Sequence, residues 1–347
     1  MSEPVGIGTA IADFREAEAL PGAGQRVEAV RTAAVRFREG FRETGLPLAV
    51  RTCDLITLPY VTEYAFWHAI RHPSPYLMFT NRMQVVRYRD MAGVPRTLLF
   101  NPTDFERAAE VPFYRRMRAR YGEFLSWQVL VQKHGTVLSQ LGRLGLAPED
   151  VDYVSFDHLH TQDLRRLIGP GGWFPRARLI VQAAEWRVFE RLHPLQAWWY
   201  VPEARDGVDP ARVVEIEGDV QLGAGVALLA TRGHTCGNHS LVLNTPRGVA
   251  VYSENGVALD NYAPAASRLP GLRDYAATGQ EVVLNGNTLE GALDQYAAMI
   301  KEKTVAGPHP DDPRFPNHFS SSELTPHWLF PGLTPTLRQT QVSFGEL

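Results

Sequence analysis

The chain is 347 residues long with a formal charge of −3, 44% hydrophobic and 21% charged residues, the balance of a folded protein with room for one elaborated domain or two small ones. Such a charge gives no reason to expect nucleic acid or an anionic membrane as partner, and no apolar run approaches the length that crosses a bilayer. Cys53 and Cys236 are too few for a disulfide framework and fit a reducing compartment; with no basic stretch leading into an apolar core near the start, a cytoplasmic protein is expected.

In chain order, QRVEAVRTAAVRFREGFRETG carries apolar residues at helical spacing, so residues 1–45 read as helical. From 46 to 80 the pattern is irregular, with Tyr60, Tyr64, Phe66 and Trp67 ahead of a break at HPSP. Residues 1–80 are therefore expected as a helical extension that packs on or covers a main domain at 81–315, with a tail at 316–347. NRMQVVRYRD and RTLLFNPTD predict a hairpin joined by MAGVP, and a helical stretch over roughly 112–144 follows. YVSF predicts a strand entering a His- and Asp-rich cluster and then a helix start; FPRARLIVQAAEWRVFERL predicts another strand and helix. Several short Gly-bounded strands lie between 218 and 256, LEGALDQYAAMIKEKT is an amphipathic helix, and VAGPHPDDP a short strand entering a loop. Strands in hairpin-like pairs among helices point to an α+β protein with two sheets flanked by helices, not to a doubly wound parallel sheet.

The chemistry concentrates at three strand ends. FDHLHTQD sets His158 and His160 two apart after an apolar strand, where imidazoles can converge on one ion once the loop bends away from the pleat. TRGHTCGNHSL places His234 in a Gly-bounded turn after VALLA, and VAGPHPDD places His309 after the late helix. Widely separated histidines at strand ends are what a metal site at one edge of a β-sandwich needs.

The ordered set HLHTQD, GHTCG, SENG and GPH resembles the metallo-β-lactamase superfamily, especially its lactonase and esterase members, over roughly residues 80–312. The resemblance implies a four-layer αβ/βα sandwich, here with an N-terminal helical extension. It implies His158, His160 and His234 as the imidazoles of a first metal site and His309 as the late histidine of a second. Three second-site positions depart from the family pattern. Gln162 stands where the motif aspartate belongs, Asp163 where the motif's last histidine belongs, and Asn255 where the bridging aspartate belongs, preceded by Glu254 in place of glycine. Three neutral imidazoles with one open position still make a competent zinc site. Asp163, Glu254 and His309 offer an alternative second site whose oxygen-rich set suits iron or manganese as well as zinc.

The expected activity is metal-dependent hydrolysis of an ester, lactone or related carbonyl compound through a metal-bound hydroxide, with one or two zinc ions and Asp163 assisting proton transfer. The rivals are an iron-dependent oxidoreductase of the same fold and a binding protein with a degenerate site. A small-molecule substrate is expected, with a homodimer left open. Blander readings stand beside these. Asp163 can cap the helix at DLRRL; Glu254 can be a turn carboxylate; Cys236 and His239 read as structural; and the aromatic QAWWY segment can fill a core or line the mouth of the site.

Overall fold

The computed structural model describes residues 4–122, 130–287, 291–339 and 341–347. Their strands form two sheets. The first runs, in spatial order, Pro4–Val5, Gly8–Ala10, Val220–Gly223, Val226–Ala230, His239–Thr245, Gly248–Ser253 and His318–Ser320. Its neighbours pair antiparallel until the last, parallel pair. The second runs Ser343–Gly345, Ala49–Val61, Tyr76–Arg89, Pro95–Phe100, Tyr153–Ser155, Arg178–Gln182 and Val213–Ile216, with Gln132–Lys133 and Ser322–Leu324 attached to its two long strands. From Pro95–Phe100 onward its pairing is parallel.

Side-chain alternation assigns each strand to two cores. Leu98 and Phe100 enter the layer between the sheets, where they meet Leu228, Leu241, Leu243 and Tyr252 of the first sheet. Leu99, between them in sequence, packs outward with Val137 and Leu141 from the helix Val137–Arg143. In the first sheet Leu228 likewise faces inward, while Ala227 and Leu229 pack against Val30, Ala34, Phe37 and Phe41 of the helix Ala23–Arg42. Those helical residues fall at spacings of three or four, one apolar stripe on an otherwise charged helix. Each fully buried Val, Leu or Phe contributes roughly 1.5–3 kcal/mol, so the stripe contributes to docking this helix on the sheet. With the helix Ala292–Ala306 beside it, the layers run helix, sheet, sheet, helix, the αβ/βα sandwich expected. No helix among the described residues is long and apolar enough to cross a membrane.

The chain ends are organised differently from the expectation. Within the segment expected to be helical, Ala49–Val61 is a long strand of the second sheet, paired with Tyr76–Arg89 across a bulge at Asp54/Ile56. The bulge and the aromatic-rich composition blur its period-2 pattern, which is why it read as irregular. The segment after residue 315 supplies His318–Ser320, Ser322–Leu324 and Ser343–Gly345 to the sheets. The stretch expected as one helix over 112–144 holds Pro112–Tyr121 and Val137–Arg143 with Gln132–Lys133 between them; residues 123–129 lie outside the described residues. VAGPHPDDP forms no strand. Val305 and Ala306 close the helix, Gly307 turns the chain at φ +67°, and Pro308 makes only an isolated bridge to Pro316.

Candidate metal centre

The strand Tyr153–Ser155 lies between parallel neighbours, and its C-terminal end delivers Phe156–Asp163 to the edge of the sandwich. The strand Val226–Ala230 of the other sheet delivers the turn at His234 to the same edge. A backbone bond from His239 N–H to the Asp157 carbonyl, at 2.8 Å, ties the two loops across the sheets. The three imidazoles meet there, with ring centroids 4.7 Å (His158–His160), 4.6 Å (His158–His234) and 5.4 Å (His160–His234) apart. One nitrogen from each can be chosen so that all three lie within 4.8 Å of one another.

Two of the rings are oriented through Nδ1. His158 Nδ1 pairs with Asp157 Oδ1 at 2.7 Å, and His234 Nδ1 with the Asn285 carbonyl at 2.9 Å, so that Nε2 of each is the atom that could ligate a metal. Asp157 also accepts from Asn101 Nδ2 (3.0 Å) and Ser321 Oγ (2.5 Å). Burial alone would raise its carboxyl, but the neighbouring His158 and these hydrogen bonds hold it below the ordinary value. The turn at His234 requires Gly233, which sits at φ +139° with Gln295 N only 2.2 Å from where a Cβ would lie.

His160 differs. It is 3% exposed and neither ring nitrogen has a hydrogen-bond partner among the described residues. A buried polar group without a partner costs roughly 1–3 kcal/mol. Burial, followed by repulsion from His158 and His234, pushes its pKa well below the usual imidazole value. Burial and His158 likewise push His234 down to about 3. Both rings are therefore neutral near pH 7, the form that binds a metal. His318 also has two nitrogens without a hydrogen bond, but its Nε2 lies 4.0 Å from Glu302 Oε2 and its ring stands against that of Tyr262. Convergence, rather than the missing partners alone, marks the His158–His160–His234 cluster, and a transition-metal dication fits its donor set.

The cluster forms the floor of a cavity that opens to solvent. Its walls are largely apolar: Ile56, Leu58, Tyr60, Phe79, Phe105 and Trp199. Among the described residues, no lysine or arginine lines it. Trp199 comes from the QAWWY segment, so that segment both fills a core and lines the site.

The remaining sequence candidates separate. Glu254 lines the cavity with the histidines, and burial, then the Asp157 carboxylate, raises its pKa well above the ordinary value. Asp163 does not line it. Thr161, in the left-handed region at φ +63° with its N–H on the Trp199 carbonyl, turns the chain, and Asp163 instead receives Arg165 Nε (2.9 Å) and Nη2 (2.6 Å). Asp163 also accepts from Arg165 N–H at 3.1 Å, close to the capping role. His309 lies in another cavity with Thr245, Arg247 and Asn317; its Nε2 meets Gln339 Oε1 at 2.6 Å and its Nδ1 accepts from Asp311 N–H at 3.0 Å. Gln162 reaches the cavity wall with its amide on Thr103, whereas Asn255 is turned away to Glu302 Oε1 and the Thr231 carbonyl. Cys236 is exposed with its thiol toward the Ala184 carbonyl, and buried His239 bonds Ser155 Oγ at 3.0 Å. The sequence reading missed Asp157, Asn285 and Glu185. The carboxylate next to His158 in FDHLH was a signal for Asp157; the other two become neighbours of the histidines only through the fold.

No family model matches the chain. Part of it is 31% identical, over 128 residues, to an N-acyl homoserine lactonase of a Bacillus species, covering 36% of this chain and 47% of that protein. A Bacillus cereus N-acyl homoserine lactonase is 29% identical over 157 residues, covering 45% and 52%. The chain thus spans about half the length of the curated relatives it matches. Among solved structures, a probable metal-dependent hydrolase from Staphylococcus aureus aligns over 75% of this chain and 83% of its own with a TM-score of 0.50 at 13% identity. A dizinc quorum-quenching lactonase aligns over 87% and 96% with a TM-score of 0.48 at 12% identity. Helix–sheet–sheet–helix layering and the aligned Staphylococcus structure agree with the metallo-β-lactamase-like αβ/βα sandwich expected from the ordered motifs.

Proposed function

We propose that the protein is a metal-dependent hydrolase that opens a neutral lactone or ester carrying an apolar arm, with one zinc ion held by His158, His160 and His234. The observation that carries this reading is His160, buried with both nitrogens unpartnered and facing two imidazoles already oriented through Nδ1. Held by these three residues, a dication would supply Lewis acidity and acidify water to a pKa near 7.

The protein's own groups divide the remaining work. Asp157 and the Asn285 carbonyl fix the His158 and His234 rings. Apolar walls at Leu58, Phe79, Phe105 and Trp199 exclude water from the substrate's arm. Glu254 takes the proton-transfer role first expected of Asp163. It lines the cavity beside the three histidines, where a carboxyl group can pass a proton to a leaving alkoxide. Asp163 is held by Arg165. The partial kinship with N-acyl homoserine lactonases supports a lactone as first choice.

The test is hydrolysis of a panel of neutral lactones and aryl esters of increasing acyl length by zinc-loaded protein. The reading expects turnover that rises with acyl length and disappears with a chelator. Turnover that survives complete metal removal would sink it.

A further inference from the structure

Glu185 begins as an unremarkable residue of the short helix Ala183–Arg187, yet it is 1% exposed and spans both histidine loops. Its Oε1 accepts from Leu159 N–H and from Tyr200 O–H, each at 2.8 Å. Its Oε2 accepts from Thr235 Oγ–H at 2.7 Å and Gly237 N–H at 3.3 Å. Leu159 lies between His158 and His160, and Thr235 follows His234. Tyr200 in turn packs edge-on against the His160 ring, with centroids 4.7 Å apart. One carboxylate therefore joins the backbone of the first loop, the turn of the second and the ring that buttresses His160. The approach is close enough to dictate sequence: a Cβ at Gly237 would lie 2.2 Å from Glu185 N.

We propose that Glu185 is a positioning residue that sets the mutual spacing of His158, His160 and His234 and so the affinity and coordination geometry of the metal they hold. It touches no ligating nitrogen. It acts through the two loops, bound by four donors that a carboxylate alone can accept together. In Glu185→Gln one acceptor becomes an NH2 group facing the Gly237 N–H, donor against donor, and the two loops lose their shared anchor. The inference rests on the three-histidine site holding a metal.

The experiment measures zinc affinity by chelator competition, the visible spectrum of the cobalt(II)-substituted protein, and the thermal midpoint of the metal-free protein. It compares the parent, Glu185→Gln and Thr235→Val, the last removing a single donor. The expected result is roughly 10–100-fold weaker zinc binding in Glu185→Gln, with altered cobalt band positions and intensities. Thr235→Val should show a smaller loss in the same direction. A lowered metal-free midpoint with parental zinc affinity and cobalt spectrum would show a merely structural role and overturn the proposal. If Glu185→Gln fails to fold, Thr235→Val decides, and parental affinity there overturns it. A parent that binds neither zinc nor cobalt overturns the metal-site reading and this inference together, whereas a metal-binding parent with unaffected variants overturns this inference alone.

Discussion

The two halves of the expected metal centre are built differently. The first half brings imidazoles from both sheets to one edge, with His160 left unpartnered and two neighbours held ring-on by Asp157 and the Asn285 carbonyl. In the second half the groups are spoken for elsewhere: Asp163 by Arg165, His309 by Gln339 and the Asp311 N–H, and the Asn255 amide by Glu302 and Thr231. A ligand is useful to a metal only if the protein does not already satisfy it, so the comparison favours a mononuclear centre.

The largest effect should come from His160→Ala. Zinc affinity is expected to fall by more than the roughly 10–100-fold that loss of an outer hydrogen-bond partner costs, and hydrolysis should vanish with it. Equilibrium dialysis with elemental analysis checks this, and parental zinc content would break the comparison at its stronger side. Next, Glu254→Gln should keep zinc while turnover drops roughly 10²–10⁴-fold, the usual contribution of a general acid or base. Zinc loss in this variant would instead make Glu254 a ligand.

A third test uses buried histidines outside the cluster. Burial pushes His239 down to about 4 and His318 down to about 3, against an unfolded value of 6.5. Between 6.5 and about 4 the unfolded chain binds protons that the folded one does not, so stability present above pH 6.5 is lost as the pH falls through that window. Denaturant melts of metal-free protein should show that decline, to which His160 and His234, also pushed down by burial, add in the same direction. A flat profile would mean that these rings are not held neutral. The smallest effects belong to the second half: His309→Ala and Asp163→Asn should retain parental zinc. Asp163→Asn should lower stability by about 1–3 kcal/mol through its lost charged hydrogen bonds, and a drop in zinc content in either variant would restore a dinuclear centre.

The ordered motifs, through their resemblance to the metallo-β-lactamase superfamily, made the first half legible. HLHTQD and GHTCG each follow an apolar strand, and a two-residue spacing at a strand end needs little else to bring ligands together. The sandwich was legible for the same reason, since paired short strands between helices have few other solutions. His309 was misplaced because the predicted strand around it does not exist: the helix runs to Ala306 and Gly307 redirects the chain. Asp163 was misplaced because one left-handed residue, Thr161, separates it from the histidines, a conformation that the residue type does not announce. Ala49–Val61 escaped notice because a bulge breaks its alternation. Glu185 was invisible because its four donors come from segments up to 52 residues away.

The central claim is a single metal on three histidines. Elemental analysis of protein purified without added metal or chelator, then repeated after zinc reconstitution and desalting, tests it most directly. The account predicts about one zinc per chain after reconstitution. Two firmly bound equivalents would contradict the mononuclear centre, and none at all would contradict the metal site itself.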